Sequence, residues 1–596
     1  MCDRRRDRML TVDLTSERVG RETIPGEWLR DYLGGKGVGV RYLYDRLDAG
    51  TDPLAPENLL LFMLGPLSGY LPGESRYAVV TKSPLTGAFL DSYSGGSFPD
   101  HLAGALPECM GILVRGRAER PLRLVIDGGD ARLEPAEHWG ADTREITEEF
   151  LDAAVVCIGP AGEQGVSYAT VASDAGEHHA GRGGAGTVMG NKRLKAVVVR
   201  GESLEPGPKL RELRERYEEA YIDHETGRWQ AAGGTFESVD FANEIGALAT
   251  RGWQYGQFDD IEHISIEAAS ESASERESGA VPGDFRFETA DGEVVLRGAA
   301  PMTLGAGLGI EHVEDVARLS GTCDRLGVDV IDAGNAVAWA IRANERGLID
   351  CPVAFGDVNG ARRLIEAIAT GTDRDAYTPG LVEALGEGVD VASERFGGSA
   401  LIPTVKSMAL PSYDPRDSLG MALAYATSDR GGCHRRARPI EAEAAVGYDP
   451  SDQIRTVVGE QTVRSVLWSL VIDDFVGETM WEDLGREWLA AVGRSYTTEE
   501  LTRVGERIWT LTRLFNVREG FDRHSDALPE LLLEPVPDGP RADQSVDAAA
   551  FEEALDAYYR ARGWGPSGLP TSETVERLGL RAVVDEKTPL DEPWDE

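Results

Sequence analysis

Two carboxylates flank a glycine near the middle of the chain, and this arrangement could bind a flat heterocycle. Asp324 and Asp329 stand on either side of Gly327, between two apolar runs with helical spacing. We therefore predict that one helix ends and another begins at this glycine. A glycine carries no Cβ, so backbone can approach a ligand closely, and the two carboxylates could accept paired N–H donors. The structural alternative is a simple joint in which Asp329 caps the second helix.

Three polar, glycine-bearing stretches in the first third of the chain, two of them with an arginine, could hold phosphate groups. Their candidate binding residues are Arg76, Gly95, Gly96, Arg182, Gly183 and Gly184. Backbone N–H groups in such loops can surround phosphate oxygens, and an arginine adds a planar pair of donors. The stretch around Arg182 is neither a Walker loop nor a dinucleotide fingerprint, because it lacks the Gly-Lys-Ser/Thr ending and follows no clear strand. The alternative is that all three stretches are ordinary turns.

A histidine after a glycine pair is the candidate proton-transfer residue. His434 follows Gly431, Gly432 and Cys433, so its imidazole could reach into a cavity as proton donor or acceptor. The alternative is a histidine at the surface or one hydrogen-bonded in the core. A nucleophile–base pair formed by Cys433 and His434 is disfavoured, because such pairs usually converge from separate elements.

Composition limits the class of protein and its partners. The 596 residues are too many for one core, so we expect two to four domains. The formal net charge of −41, with only seven lysines, is typical of a protein kept soluble in high salt, as in a halophile, and argues against nucleic acid or an anionic membrane as partner. The six cysteines form no CxxC pair, and no apolar run is long enough to span a membrane. No apolar segment of a secretory signal follows the basic start, so we expect a cytoplasmic protein.

The elements that must position these residues divide the chain into three. Residues 1–204 alternate apolar runs with glycine-rich turns, so we predict a β-rich N-terminal domain. Residues 210–412 and 413–596 are predicted as mainly helical middle and C-terminal domains. A helix is predicted at Glu27–Leu47, and the Ser/Glu-rich stretch Ala268–Gly279 is predicted as a surface loop. The predicted class is therefore α+β.

Several of these stretches, in this order, resemble the aldehyde ferredoxin oxidoreductase family of tungsten-pterin enzymes. The matching segments are Gly34–Gly37, Thr81–Gly87, Ile158–Glu163, Gly181–Lys195, Asn243–Leu248, Cys323–Asp329, Ala424–His434, Phe515–Gly520 and Tyr558–Trp564. They extend over nearly the whole chain. The resemblance implies a β-rich base under a metal–pterin group, capped by two largely helical domains.

The resemblance also implies roles for the candidate residues. Those that would bind the pterin are Arg76, Gly95, Gly96, Arg182, Gly183, Gly184, Asp324, Gly327, Asp329, Arg436 and Asp473. The arginine and glycine loops would hold the pterin phosphates, the two aspartate motifs would contact the pterins, and His434 would transfer protons beside the metal. The implied cofactor is a tungsten or molybdenum bis-pterin, with magnesium between the pterin phosphates as an option.

The chain departs from the family where an iron–sulfur cluster is expected. At the spacing of the four cluster cysteines it carries Ser278, Val281, Phe285 and Asp473. Valine and phenylalanine donate nothing to iron, so the [4Fe-4S] cluster typical of the family is not expected here.

Other departures affect the second pterin motif and catalysis. Trp468 and Val471 replace the leading aspartate and the glycine of that motif, and Tyr93 stands where an asparagine would help hold magnesium. An acidic residue expected upstream of Gly305 is also missing.

The leading hypothesis is an oxidoreductase that converts an aldehyde, or a similar small carbonyl compound, to the carboxylic acid at a tungsten or molybdenum pterin centre. Its partners would be the aldehyde and an unknown electron acceptor, ferredoxin by family analogy, with a homodimer as one candidate assembly. The alternative is a non-catalytic pterin- or nucleotide-binding scaffold or partner subunit that has lost the redox chain.

Overall fold

The N-terminal part of the protein is β-rich and the remainder is mainly helical, which confirms the predicted α+β class. The computed structural model describes residues 6–440 and 450–594. The strands of the N-terminal part are β1 (Arg8–Asp13), β2 (Arg18–Thr23), β3 (Leu60–Met63), β4 (Tyr77–Lys82), β5 (Phe89–Ser94), β6 (Cys109–Arg115), β7 (Leu122–Asp127), β8 (Asp130–Pro135), β9 (Ala154–Cys157), β10 (Val171–Ser173), β11 (His178–Ala180) and β12 (Leu194–Arg200).

These strands form two six-stranded sheets with the same topology. The first sheet has the order β2-β1-β6-β3-β4-β5, and the second has the corresponding order β8-β7-β12-β9-β10-β11. Strand β1 runs parallel to β6 in the first sheet, and β7 runs parallel to β12 in the second. All other neighbouring strands are antiparallel. The two sheets share one core, which contains Phe62 from the first and Val197 from the second. The base is therefore an internal repeat, which the sequence analysis did not detect.

The helices and short strands that follow complete the fold. The helices are α1 (Gly26–Asp31), α2 (Gly35–Arg46), α3 (Phe98–Ala105), α4 (Thr143–Glu148), α5 (Pro160–Gln164), α6 (Ala185–Asn191), α7 (Pro208–Asp223), α8 (Glu225–Gly233), α9 (Glu237–Glu244), α10 (Ile266–Ser272), α11 (Val313–Leu326), α12 (Val330–Glu345), α13 (Val358–Thr370), α14 (Leu381–Glu387), α15 (Val389–Phe396), α16 (Leu419–Ala426), α17 (Pro450–Leu470), α18 (Arg486–Ala491), α19 (Thr498–Arg518), α20 (Ala548–Arg562) and α21 (Ser572–Arg577). The remaining strands are β13 (Glu275–Arg276), β14 (Phe285–Thr289), β15 (Gly292–Leu296), β16 (Thr404–Val405) and β17 (Met408–Ala409).

Apolar side chains of the helices form two large cores. One joins the middle and C-terminal helices and contains Trp339 and Leu423. The other packs α2 of the base against α17 and α19 through Val40, Leu467 and Ile508. The C-terminal helices therefore close directly on the N-terminal base.

A buried ion-pair network also joins the base to the C-terminal part. Lys36 on α2 pairs with Asp91 on β5 at 3.3 Å and also with Asp429. Arg436 pairs with the same two carboxylates and lies 2.7 Å from Asp429. The two cations balance the two anions, so removing any one member would leave a buried charge unpaired, at a cost of about 3–5 kcal/mol.

The predicted helix Glu27–Leu47 is broken in the structure into α1 and α2. Leu33 in the break has a φ of +63°, which ends a helix. Gly35 lies against the backbone carbonyl of Trp468, where a Cβ would be only 2.4 Å from the oxygen. The tertiary contact with α17 therefore overrides the local helical pattern.

The prediction of a surface loop at Ala268–Gly279 is wrong over part of its length. Helix α10 covers its beginning, where the side chain of Ser265 caps the helix by accepting a hydrogen bond from the backbone N–H of Ala268 at 3.3 Å. Strand β13, at Glu275–Arg276, lies in its second half and pairs with β14, a contact that composition does not reveal.

Strand β12 ends at Arg200 and helix α7 begins at Pro208, and the residues between them form no helix or strand. The domain limits 1–204, 210–412 and 413–596 stay a prediction. Among the helices within the described ranges, none is long and apolar enough to cross a membrane.

Candidate functional site

One cavity of about 400 Å³ collects most of the predicted site residues. Those that line it are Arg76, Gly95, Arg182, Asp324, Asp329, His434 and Asp473. They come from the base, from the joint between α11 and α12, and from the segments before and after α17. Folding therefore brings the arginine loops, both aspartate motifs and the histidine to one place.

The first aspartate motif forms a capped joint beside this cavity. Helix α11 ends at Gly327, whose φ of +69° suits a glycine. The Asp329 Oδ1 atom accepts hydrogen bonds from the backbone N–H groups of Ile331 at 3.1 Å and Asp332 at 3.0 Å, so it caps α12. Its Oδ2 atom accepts from the backbone N–H of Arg182 at 3.2 Å. Asp329 thus combines the predicted capping role with a place in the cavity wall.

The second aspartate motif repeats this geometry, although its glycine is lost. Val471 follows α17 with a φ of +58°. The Asp473 Oδ1 atom accepts from the backbone N–H groups of Phe475 at 3.0 Å and Val476 at 3.2 Å, the same spacing as in the first motif. Its Oδ2 atom accepts from Arg76 Nε at 2.9 Å and Nη2 at 2.6 Å. We call each arginine–aspartate pair, Arg182 with Asp329 and Arg76 with Asp473, a cradle.

The neighbourhood of the second cradle is aromatic where the family pattern is polar. The rings of Tyr93 and Trp468 lie 5.5 Å apart between centroids. The Tyr93 hydroxyl donates to Asp91 Oδ2 at 2.7 Å, and Trp468 Nε1 donates to Asp474 Oδ1 at 2.7 Å. These side chains use their polar atoms within the protein.

The other predicted binding residues do not line the cavity. Arg436 belongs to the buried network with Lys36. The backbone N–H of Gly96 donates to Glu74 Oε1 at 2.9 Å. A Cβ added at Gly327 would lie 2.8 Å from the backbone nitrogen of Gly159, so its close approach is to protein. Gly183 and Gly184 likewise pack against protein atoms.

Asp324 lies at the cavity wall in an environment that disfavours its charge. Removal from water raises the pKa of its carboxyl to about 8. Its Oδ1 atom lies 3.4 Å from Nε2 of His179, whose pKa burial lowers to about 4. Both groups are therefore mainly uncharged at neutral pH, and Asp324 can exchange hydrogen bonds with a neutral heterocycle.

Two adjacent histidines in the cavity wall were missed in the sequence. His178 and His179 on β11 both line the cavity. His178 Nδ1 lies 3.0 Å from Glu74 Oε1, and burial, followed by nearby Arg297, holds its pKa well below the usual value. The sequence could have pointed to these histidines, because they stand directly before the glycine loop around Arg182.

His434 lines the cavity without a hydrogen bond to any described residue. Burial, and then the charges of Arg435 and Arg438, hold its pKa well below the usual value. The imidazole is therefore neutral at physiological pH, with one nitrogen able to accept a proton.

Buried polar atoms of the wall fit an anionic, hydrogen-bonding ligand. Arg182 Nη1 and Arg430 Nε are buried and have no hydrogen-bond partner among the described residues. Unpaired buried donors are costly, and phosphate oxygens would satisfy them. Together with the neutral Asp324, these donors match the pterin group that the sequence resemblance implies.

The four positions that the sequence resemblance assigns to an iron–sulfur cluster hold no cysteine, and the absence of the cluster stays a prediction. Phe285 is buried in β14 and packs against Phe236 with centroids 5.4 Å apart, while Asp473 is held by Arg76. The loop between Ser278 and Phe285 is held by Arg276, whose Nε donates a hydrogen bond to the Gly283 carbonyl at 2.8 Å. Within the described residues no group of three or more His, Cys, Asp or Glu side chains could hold a metal ion.

Comparison with known proteins identifies the family. The profile of the aldehyde ferredoxin oxidoreductase N-terminal domain matches residues 9–201, and that of domains 2 and 3 matches residues 212–580. The chain belongs to the aldehyde ferredoxin oxidoreductase family. It is similar to the tungsten-containing aldehyde ferredoxin oxidoreductase of Pyrococcus abyssi, with 34% identity over 97% of this chain and 99% of that relative. The corresponding Pyrococcus furiosus protein is 33% identical over 96% of this chain and 98% of its own length.

Two further similar proteins have names that point to other substrates. An aliphatic sulfonate oxidoreductase, WOR-like subunit, of Pyrococcus furiosus is 27% identical over 96% of both chains. The active-site complex of a benzoyl coenzyme A reductase, solved with 1,5-dienoyl-CoA, has a TM-score of 0.79 and 23% identity over 98% of each chain. This last likeness shows the fold alone.

Proposed function

We propose that the chain is a tungsten-pterin oxidoreductase that oxidises an aldehyde, or a similar small carbonyl compound, to the carboxylic acid. The observation that carries this proposal is the convergence on one cavity of His434 and the two cradles, whose aspartates cap the following turn in the same way. The tungsten-containing relatives support the choice of metal, with molybdenum as the alternative.

The two cradles would hold the two pterins. Arg182 and Arg76 present planar donors that suit phosphate oxygens, while Asp329 and Asp473 fix the arginines and cap the following turns. Magnesium between the phosphates stays optional, since the side chain of Tyr93 lacks the amide oxygen with which an asparagine would help hold it. When bound, the metal–pterin group supplies two-electron oxidation and oxygen transfer.

His434 would move a proton at the cavity wall. Oxidation of an aldehyde and a water to a carboxylic acid releases two protons and two electrons. The neutral imidazole can accept one of these protons, and the neighbouring charges of Arg435 and Arg438 favour its prompt release.

Electrons would leave by a route other than the family's cluster. The residues that the resemblance places at the cluster positions are not cysteines, so we propose that the acceptor docks at the cavity itself. Trp229 and Phe475 line the cavity, are partly exposed, and stack with centroids 5.9 Å apart. They mark the rim at which an acceptor could approach. A ferredoxin is the acceptor by family analogy.

Metal and pterin analysis tests this function. Protein purified from its own host should contain tungsten, or molybdenum, and acid-released fluorescent pterin near stoichiometric amounts, without iron or acid-labile sulfide. Asp324→Ala should lower the pterin content several-fold, because its cavity-wall carboxyl is lost. Glu345→Ala, at the exposed end of α12, is the matched control and should keep it. Undiminished pterin in Asp324→Ala would contradict the assignment.

The second candidate is a scaffold that has lost the redox chain. It is favoured by the second cradle, where Asp473 already holds Arg76 and aromatic rings surround the motif. Absence of both metal and pterin from protein made where cofactor is available would support this candidate and exclude the enzyme.

A further inference from the structure

A second cavity, of about 250 Å³, is lined by three arginines and by no described aspartate or glutamate. The arginines are Arg6, Arg30 and Arg494. The chain has 102 acidic and 61 basic residues, so a lining with cations alone runs against the composition. This cavity shares no lining residue with the one around His434.

Arg6 is the buried member of the lining, with 4% of its surface exposed. Its Nη1 donates to the Gly65 carbonyl at 2.8 Å and its Nη2 to the Ser68 carbonyl at 2.7 Å. It forms no ion pair with a described residue, and burial lowers its pKa to about 10. Within the described residues its contacts are these two carbonyls and the Tyr70 ring, whose centroid lies 6.0 Å away, so no anion balances the charge there and an anion in the cavity would offset the cost of burying it.

Arg30 and Arg494 complete the basic lining from two different segments. Arg494 Nη1 donates to the Leu33 carbonyl at 3.1 Å, which ties its segment to the residues after α1. The Arg30 side chain is 61% exposed and pairs with Glu500 at 3.2 Å, and its guanidinium lies 5.5 Å from the ring centroid of Tyr496. The cavity therefore has a buried cation at one side and an exposed one at another, with an entry from solvent.

We propose that this cavity binds a small oxyanion, a phosphate or a carboxylate, between the N-terminal base and the C-terminal segment Val492–Tyr496. Planar guanidinium groups pair with the oxygens of both anions, and the cavity is large enough for either. The strong negative charge of the chain makes diffuse anion binding elsewhere unfavourable.

The oxyanion site is one backbone contact away from the second cradle. Gly65, whose carbonyl accepts from Arg6, packs so closely on Leu470 that a Cβ would lie 1.9 Å from the Leu470 carbonyl oxygen. Val471 is the next residue, and Asp473 lies two residues beyond it. Anion binding is therefore expected to stabilise the turn that carries Asp473. This inference does not depend on the proposed redox function.

Titration calorimetry with inorganic phosphate, and separately with acetate, tests the site. The full-length protein is used at constant ionic strength set with chloride. We expect saturable binding of one oxyanion that Arg30→Gln/Arg494→Gln weakens at least tenfold, since hydrogen bonds to charged groups are removed. Arg577→Gln, another exposed arginine paired with a glutamate, is the matched control and should bind as wild type. The arm with the tighter binding identifies a phosphate or a carboxylate ligand.

Three outcomes would overturn the proposal. They are no saturable binding of either anion, unchanged binding in the double variant, and loss of binding in Arg76→Gln with retention in the double variant. The last result would assign the anion to the first cavity. If the double variant misfolds, Arg30→Gln alone replaces it, because the Arg30 side chain is exposed. A several-fold loss of anion affinity is then expected. Metal and pterin content is measured separately, so failure here leaves the proposed function untouched.

Discussion

At the cavity wall, the protonation of Asp324 is decided by its surroundings. The protein around it raises its pKa to about 8, while the nearby His179 is held neutral. A ligand that donates N–H groups to this carboxyl would favour the charged form and lower the pKa again. Ligand binding and proton release at this residue are therefore expected to be coupled.

The stability of the cofactor-free protein should report this shifted pKa. The folded pKa of about 8 lies above the ordinary 3.8, so the folded state holds the proton more tightly and the unfolding free energy falls as pH rises between these values. Asp324→Asn removes this dependence and should gain stability relative to wild type, by up to about 1.4 kcal/mol per pH unit. Denaturant unfolding of both proteins at pH 5 and pH 8 measures the change. If the unfolding free energies of Asp324→Asn and wild type differ by the same amount at pH 5 and pH 8, the raised pKa of Asp324 is contradicted.

At the scale of elements, the aspartates of the two cradles follow two helix ends, and each helix end has a residue with positive φ. The joint after α11 uses Gly327, which tolerates positive φ. The joint after α17 uses Val471, a β-branched residue for which this conformation costs about 1–2 kcal/mol. Asp473 and Arg76 hold the second joint in place despite that cost.

A glycine comparison separates backbone strain from crowding. Gly327 and Gly347 have φ values of +69° and +70°, so alanine is strained at both. A Cβ at Gly327 would lie 2.8 Å from the Gly159 nitrogen, whereas nothing lies within 4 Å of one at Gly347. Gly327→Ala should therefore be less stable than Gly347→Ala by about 1–3 kcal/mol in denaturant unfolding. Equal losses of unfolding free energy in the two variants would show that the backbone around Gly327 can move to make room for the added Cβ.

At the scale of the whole molecule, the net charge of −41 sets the expected response to salt. Repulsion among like charges destabilises the compact state, and added salt shortens its range from about 10 Å at 0.1 M to about 3 Å at 1 M. The halophilic origin, the cytoplasmic location and a homodimer stay predictions.

The midpoint of thermal unfolding should rise by several degrees between 0.1 M and 2 M KCl. Charge screening is the physical reason, since only the ionic strength changes. A sucrose solution of equal osmolarity, which stabilises by exclusion without screening, is the control and should give a smaller rise. A midpoint that falls with salt, or an equal rise in sucrose, would contradict a charge-based effect.

The sequence by itself determined the features that neighbouring residues encode. The helix end at Gly327 and the alternative that Asp329 caps the next helix are both local features, and the structure bears them out. The family motifs and the α+β class were also readable, because many segments keep their order along the chain.

Only the tertiary structure decided how those segments meet. It broke the predicted helix at Leu33 against α17, placed Arg436 in a buried network away from the cavity, and brought His178 to the wall. It also showed that Val471 keeps the geometry of a lost glycine. These outcomes depend on packing and on removal from water by distant residues, which no local pattern records.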